Sequence, residues 1–347
     1  METRLSSSIW AYLDRHKNVV SKQFFQPADP TTLEVKPRFQ GGKPAGSHDT
    51  SRIEASKRLM LRLLSGVLRL PWARGRVTIS EFIYRLLSPQ NSIVEMRINN
   101  LPLTVDLAEQ EARYIYFGAF ECNEIEFMQR WVKPGDTVVD VGANIGYISA
   151  ILAGAVGSKG KIYAFEPNPI IFPQLRMLAK ASAGTIEAFQ SAITDKSENG
   201  VTDFYIVSDH SMWSSTVIEG AGSGLDRIQV PSISLSEFFT NGGLSRVDFI
   251  KIDVEGGEAD VLRGASQFFA DGGKPIIMCE LAASLPSVRT QSFAAVEKLL
   301  VDFGYRAFLI APGGKLSPML LSELKQQTHT LNVVLLPATV RTEEALG

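Results

Sequence analysis

The sequence predicts an α/β protein built on a doubly wound sheet. Three observations carry that expectation. From about residue 110, apolar strand-like runs alternate with helical patterns; the first of these, "TVVDVG", passes through a glycine turn into a helix; the next, "KIYAFEPN", ends on an acid. Alternation of this kind needs crossover helices, and therefore strands that lie mostly parallel.

Residues 1–51 read as an arm or linker, partly irregular, because "QPADPTTLEVKPRFQGGKPAGSHDT" is rich in Pro, Gly and polar residues and has little periodicity. A helical extension and a hairpin follow over 52–110. In "SRIEASKRLMLRLLSGVLRLPW", Ile53, Leu59, Leu63 and Leu64 recur near helical spacing until Pro71 ends the run. Arg52, Lys57, Arg58, Arg62 and Arg69 there face only Glu54. The expectation is a helix packed on the domain with a solvated basic face; contact with a membrane surface through 52–76 is the alternative. "SIVEMRINNLPLTVDL" reads as two strands joined at Asn99-Asn100. The main domain spans 111–347. Its strands are expected at 137–141, 161–166, 186–193, 247–253 and 275–281, and its helices at 146–156, 169–182, 257–270 and 290–303. Two further strands, near 305–310 and 331–336, lack a crossover helix between them and predict an antiparallel pair at one sheet edge.

Composition excludes several classes. The chain has 347 residues, 45 % hydrophobic and 21 % charged, with a formal net charge of −2. Those values suit an ordinary globular protein and give no electrostatic reason to expect nucleic acid. Cys122 and Cys279 sit at no metal-ligand spacing and read as thiols in a reducing compartment. No signal-peptide core or membrane-length apolar run is seen, so a cytoplasmic location is expected. The oligomeric state is open, a homodimer included.

The glycine turn poses the functional question. Gly142-Ala143-Asn144-Ile145-Gly146 follows a strand and opens a helix, whose first amides point at whatever is bound. A dinucleotide turn needs a glycine where Asn144 stands, and no Gly-Lys-Ser/Thr follows for a P-loop. Glu166 ends the next strand, 24 residues after Gly142, beside the turn, where a carboxylate can accept from both hydroxyls of a ribose. Asp140 lies inside the apolar strand. A buried carboxylate favours a cation or hydrogen-bond donors and repels a pyrophosphate. S-adenosylmethionine carries an ammonium and a sulfonium and no phosphate, so it is the expected cofactor.

The set "DVGANIGYIS", "AFEPNP", "AITDKS", "FIKIDVEGGEADVLRGA" and "IIMCEL" resembles the FkbM-type S-adenosylmethionine-dependent methyltransferases, a branch of the class I methyltransferases, over about residues 112–337. The resemblance implies a seven-stranded Rossmann-like sheet ending in an antiparallel pair, and O-methylation of a hydroxyl on a carbohydrate or secondary metabolite. It implies that Asp140, Gly142, Asn144 and Gly146 line the methionine end of the cofactor, that Glu166 binds the ribose with Asn168 close by, and that Ser191 and Ala192 flank the adenine. In "FEC" (120–122) the family's usual tyrosine and proline are replaced; Glu121 is kept and implies a cofactor-side role.

A second cluster concerns the chemistry. In "VDFIKIDVEGGEADVL", Lys251 and Asp253 project from one strand face, and Asp253 stands at the carboxyl end where open α/β sheets bind ligands. Glu255 and Glu258 follow at a helix start, favoured there by the dipole. Glu280 ends the next strand. An alcohol acceptor must lose a proton as it attacks, so Asp253 or Glu280 is expected as base. The alternative has these two acids holding Mg²⁺, which is possible but not favoured. His210, in "SDHSMWSSTV", is a further candidate base in the insertion that the resemblance marks as acceptor-facing. Two rival readings are an N-methyltransferase, against which "DVEG" counts, and a non-catalytic S-adenosylmethionine-binding scaffold.

Overall fold

The computed structural model describes residues 48–68, 76–87, 92–195, 200–207, 214–215, 225–284 and 286–340. The arm over 1–47, the Pro71 stop and His210 lie outside the described residues.

Two helices, α1 (His48–Leu68) and α2 (Arg76–Leu87), precede the hairpin β1 (Ile93–Ile98) and β2 (Leu101–Asp106). Asn99 and Asn100 form its turn with φ of 49° and 67°, the left-handed region that a tight hairpin demands of both central residues. Helices α3 (Gln110–Phe117) and α4 (Cys122–Trp131) lead into the alternating part: β3 (Thr137–Val141), α5 (Tyr147–Val156), β4 (Lys161–Phe165), α6 (Phe172–Ala181) and β5 (Ile186–Phe189). Then come β6 (Ala192–Ile193), β7 (Val201–Val207), β8 (Ser214–Ser215), β9 (Leu225–Ile233) and α7 (Leu235–Asn241). The chain ends with β10 (Phe249–Ile252), α8 (Glu258–Gly264), α9 (Ser266–Ala270), β11 (Ile276–Leu281), α10 (Pro286–Asp302), β12 (Tyr305–Ala311), β13 (Lys315–Met319), α11 (Leu321–Leu324) and β14 (Leu331–Pro337).

The central sheet runs β13-β12-β14-β11-β10-β3-β4-β5. From β11 to β5 every pairing is parallel, and β14, β12 and β13 add antiparallel pairings. This is the doubly wound, mostly parallel sheet expected: the seven expected strands are present, and β13 extends the edge as an eighth, folding back on β12 after Gly313-Gly314. Side-chain alternation divides the core into two layers. Val138, Phe249, Met278 and Val334 belong to one buried cluster, with α5 and α6; Val139, Ile250, Ile277 and Val333 belong to the other, with α7 to α10. The N-terminal extension shares the first layer, through Leu61, Leu68, Ile83 and Leu87. Its hairpin is tied down by Asn99, whose Nδ2 donates to the carbonyls of Ala150 and Ile151 at 2.9 and 3.2 Å. Gly154 makes that approach possible, since a Cβ there would stand 2.3 Å from Asn99 Nδ2.

Four expectations need correction, and the insertion adds structure that none foresaw. On α1 the buried face is Leu61 and Leu68, whereas Leu59 and Leu63 are 59 % and 64 % exposed. The strand expected over 186–193 breaks after Phe189, where its pairing with Phe165 ends; Ala192–Ile193 leaves the central sheet and pairs with Ser232–Ile233 of β9. The insertion is itself β structure, a four-stranded sheet ordered β6-β9-β7-β8. The helix expected from 169 begins at Phe172, because Asn168 caps residues 169–171 into a turn: its Oδ1 accepts from the Ile170 amide and its carbonyl from Ile171 and Phe172. The helix expected over 257–270 breaks at Ala265, just after Gly264, a poor helix former that packs against Thr194 and Ser234. Among the described residues, no helix is long and apolar enough to cross a membrane.

Candidate active site

The chain leaves β3 in one direction toward β4 and β5, and returns on its other side as β10 and β11. The carboxyl ends of these strands therefore open onto one crevice, at the switch point where α/β sheets bind ligands. A cavity of about 260 Å³ fills it.

The strand register brings the charged residues together. Lys251 pairs with Asp140 across β10 and β3, and Asp253 N continues the ladder to Val141 O at 3.1 Å. Residues 140, 251, 253 and 280 share the parity of Val138, Phe249 and Met278, so their side chains leave the sheet on the same face. Lys251 Nζ donates to Asp253 Oδ2 at 3.1 Å and lies 3.8 Å from Asp140 Oδ1. Asp140 is fully buried; its Oδ2 accepts from Ser149 Oγ at 2.5 Å, and its Oδ1 has no hydrogen-bond partner. Burial pushes the Asp140 carboxyl upward, against the pull of Lys251. Burial also works against the Lys251 charge, but Asp253, Asp140 and Glu121 outweigh it and raise its pKa.

Glu166 joins two loops. Its Oε2 accepts from the Asn144 amide at 2.9 Å and its Oε1 from the Asn168 amide at 2.8 Å, which fixes the turn after β3 to the turn after β4. Burial raises its pKa to about 7, even though both amides favour the carboxylate. Asn144 takes a left-handed φ of 51°, and its Oδ1 accepts from the Ile145 amide at 2.7 Å. The residue that breaks the dinucleotide spacing is thus a turn-former of a kind that Asn tolerates well.

Of the residues expected at the cofactor, Glu121, Gly142, Asn144, Glu166 and Asn168 line the cavity, as do Ser191 and Ala192. The expected acids Asp253 and Glu280 line it too. Asp140 and Gly146 do not. Asp140 stands behind the wall and supports Lys251; Gly146, with φ of 88°, caps α5 and faces Leu175 and Leu178 of α6. Ser191 Oγ lies 3.1 Å from the Ala192 carbonyl and 3.2 Å from that of Pro231, so the loop after β5 is anchored to β9.

Sequence reasoning left out Phe120, Phe204 and Thr330 and gave Glu255 only a helix-start role, yet all four line the cavity. Glu255 had a signal: it is an acid in a glycine turn, and it takes a left-handed φ of 52°. Phe204 had none, because nothing in the sequence says that β7 folds over the crevice. Glu258 follows its expected structural role, its Oε1 accepting from the Gly256 amide at 2.7 Å at the start of α8.

The acids are not electrostatically equal. Burial pushes Asp253 up, but Lys251 and then a hydrogen bond from Glu280 outweigh it and hold Asp253 below the usual carboxylate range. Burial and then Asp253 drive Glu280 well above that range. The two shifts run in opposite directions, favouring the charge on Asp253 and the proton on Glu280. The half-buried Glu121 is pushed to about 8, burial first. Asp253, Glu255 and Glu280 offer carboxylate oxygens within 4.8 Å of one another.

This wall fits S-adenosylmethionine. Among the described residues it presents six acids, Glu111, Glu121, Glu166, Asp253, Glu255 and Glu280, and one basic residue, Lys251. Glu121 Oε2 is buried without a hydrogen-bond partner. Such a wall attracts a sulfonium and an ammonium and repels a pyrophosphate.

Known proteins agree with the motif order. Residues 140–307 match the family model of the methyltransferase FkbM domain. The hexuronic acid methyltransferase AglP of Haloferax volcanii is 27 % identical over 150 residues, which span 42 % of this chain and 56 % of that protein. The 31-O-demethyl-FK506 methyltransferase FkbM of Streptomyces tacrolimicus is 26 % identical over 204 residues, or 50 % of this chain and 76 % of that one. Among solved structures, fibrillarin of Aeropyrum pernix with natively bound S-adenosyl-L-methionine is 14 % identical, covers 59 % of this chain and 68 % of its own, and gives a TM-score of 0.35. The fold assignment rests on the strand order; beyond it, residues 140–307 are similar to the methyltransferase FkbM domain.

Proposed function

We propose that this protein is an S-adenosylmethionine-dependent O-methyltransferase acting on a hydroxyl of a carbohydrate or secondary metabolite. The observation that carries the reading is geometric: Lys251 donates to Asp253 at 3.1 Å with Glu280 beside it, at the same cavity as Glu166. The names of the two relatives, a hexuronic acid methyltransferase and a 31-O-demethyl-FK506 methyltransferase, support an oxygen acceptor.

Glu166, Asn144 and Asn168 would hold the ribose, Glu121 and the Gly142 turn the methionine end, and Ser191 and Ala192 the adenine. When bound, S-adenosylmethionine supplies an electrophilic methyl group on a positively charged sulfur. Asp253 accepts the hydroxyl proton of the acceptor as its oxygen becomes nucleophilic. Glu280, whose proton is favoured by burial, keeps the charge on Asp253 by donating to it. Lys251 orients Asp253 from below and balances Asp140, so the base is fixed in direction before the acceptor arrives. Phe120 and Phe204 narrow the cavity and exclude water from the reacting groups.

A second reading is favoured by one observation, the proximity of Asp253, Glu255 and Glu280: these could hold Mg²⁺ and so acidify the acceptor hydroxyl. The ammonium 3.1 Å from Asp253 opposes a dication at the same carboxylate, and we favour direct proton transfer. Treatment with EDTA should leave turnover unchanged; activity lost to EDTA and restored by Mg²⁺ reverses that choice.

The central test is Asp253→Asn. Transfer should fall by roughly 100- to 10,000-fold, while calorimetry finds S-adenosylmethionine affinity within a few-fold of wild type. Undiminished transfer removes Asp253 from the chemistry. Failure of the wild-type protein to bind S-adenosylmethionine refutes the whole assignment.

A further inference from the structure

The two N-terminal helices carry an apolar surface that the fold does not use. Seven of the twelve large apolar side chains exposed among the described residues lie on α1 and α2, a concentration well beyond scattered surface residues. On α1, Leu59, Met60, Leu63 and Val67 are 59, 49, 64 and 47 % exposed. Their spacing, i, i+1, i+4 and i+8, places them on one face of the helix. The opposite face holds Leu61 and Leu68 in the core, and Ser65, whose Oγ donates to the Tyr116 carbonyl at 2.7 Å. On α2, Ile79, Phe82 and Leu86 are exposed at i, i+3 and i+7, on the arc beside the one that holds the buried Ile83 and Leu87. A helix that is apolar on both faces belongs between two apolar media, and the described residues supply α1 with only one of them.

Charge identifies the other. Arg58 and Arg62 are exposed and lie on the flank of α1 between its two apolar faces. Over its length α1 carries Arg52, Lys57, Arg58 and Arg62 against Asp49 and Glu54, in a chain whose net charge is −2. A second copy would bring like charges together, whereas an anionic surface complements them. We propose that the outward faces of α1 and α2 dock on an anionic lipid surface, with Leu63 and Phe82 entering the acyl boundary and Arg58 and Arg62 meeting headgroup phosphates. Docking of this kind holds the protein on the membrane without spanning it, and it is independent of the methyl-transfer reading.

The test is flotation of the full chain with vesicles of phosphatidylcholine alone or with about 30 mol% phosphatidylglycerol. The protein should float with the anionic vesicles only, and less so as salt is raised. Arg58→Gln with Arg62→Gln should lower the partition roughly 30-fold, from two basic contacts. Leu59→Ser with Leu63→Ser should abolish it while leaving the melting temperature and S-adenosylmethionine binding near wild type, because these side chains point away from the core. Three outcomes overturn the proposal: the wild-type chain stays in solution with anionic vesicles; it binds neutral and anionic vesicles equally; or it remains unbound and sediments as a dimer that Leu63→Ser disperses, in which case a second copy covers the face.

Discussion

One carboxylate, Glu166, ties together two loops that arise from different strands, and its own oxygens are the knot. Removing it frees the amides of Asn144 and Asn168 and, in the function proposed, takes an acceptor from the ribose. Charge-assisted hydrogen bonds of this kind contribute about 1.5–3 kcal/mol each, so Glu166→Ala should weaken S-adenosylmethionine binding by roughly 10- to 100-fold or more in calorimetry. Lys251 answers to a different measurement. Its side chain is 5 % exposed, and it stands between Asp140 and Asp253. Lys251→Met leaves the buried Asp140 and the half-buried Asp253 without their counter-charge and should lower unfolding free energy by about 3 kcal/mol in a denaturant titration. At this scale the sequence was informative wherever spacing carries geometry: the parity of 251 and 253, the glycine turn, and the acid 24 residues on. It was silent on the opposite shifts of Asp253 and Glu280, because those depend on the distance between two strand ends and on their shared burial.

The elements meet most tightly where β3 and β10 run side by side. Gly142 takes φ of 79°, and a Cβ there would lie 1.7 Å from the Asp253 carbonyl oxygen. Gly142→Ala must push the two strand ends apart, and should lower stability by about 2 kcal/mol or more and weaken cofactor binding with it, as thermal melts with and without S-adenosylmethionine will report. Alternating apolar runs made the central strands legible, and the Asn-Asn turn made the hairpin legible. Three things were hidden for physical reasons. The run over 186–193 is continuous in apolar character, yet its last two residues pair with a strand about 40 residues further on, a non-local choice. The turn at 169–171 depends on Asn168 capping it, which competes with the helix-starting tendency of Pro169. On α1 both faces are apolar, so periodicity alone could not choose which one turns inward.

Across the whole molecule, the buried acids set an unusual response to pH. The half-buried Glu121 is raised to about 8, and the buried Glu166 and Glu258 to about 7, from an ordinary value of 4.5, in each case chiefly by burial. Between about 4.5 and 8 the folded protein therefore holds protons that the unfolded chain has released. These groups add stability that is fully present below 4.5 and disappears as pH rises through 7 to 8. The melting temperature of the ligand-free protein should accordingly fall from about pH 6 to about pH 9, unlike the commoner case of salt-bridged carboxylates. A cationic ligand relieves the same strain by favouring the ionised acids. Binding near neutral pH should then release protons, detectable as calorimetric heats that change with the ionisation enthalpy of the buffer.

The position of β14 has a consequence for how the protein is made. It is the last strand in the chain, yet it sits between β11 and β12, pairing with both. During synthesis those two earlier strands emerge with nothing to separate them correctly, and each keeps an open edge until about residue 337 has left the ribosome. Ile277, Cys279 and Leu335, wholly buried in the finished sheet, face that interval together. A nascent chain arrested before β14 is a template for the wrong neighbour.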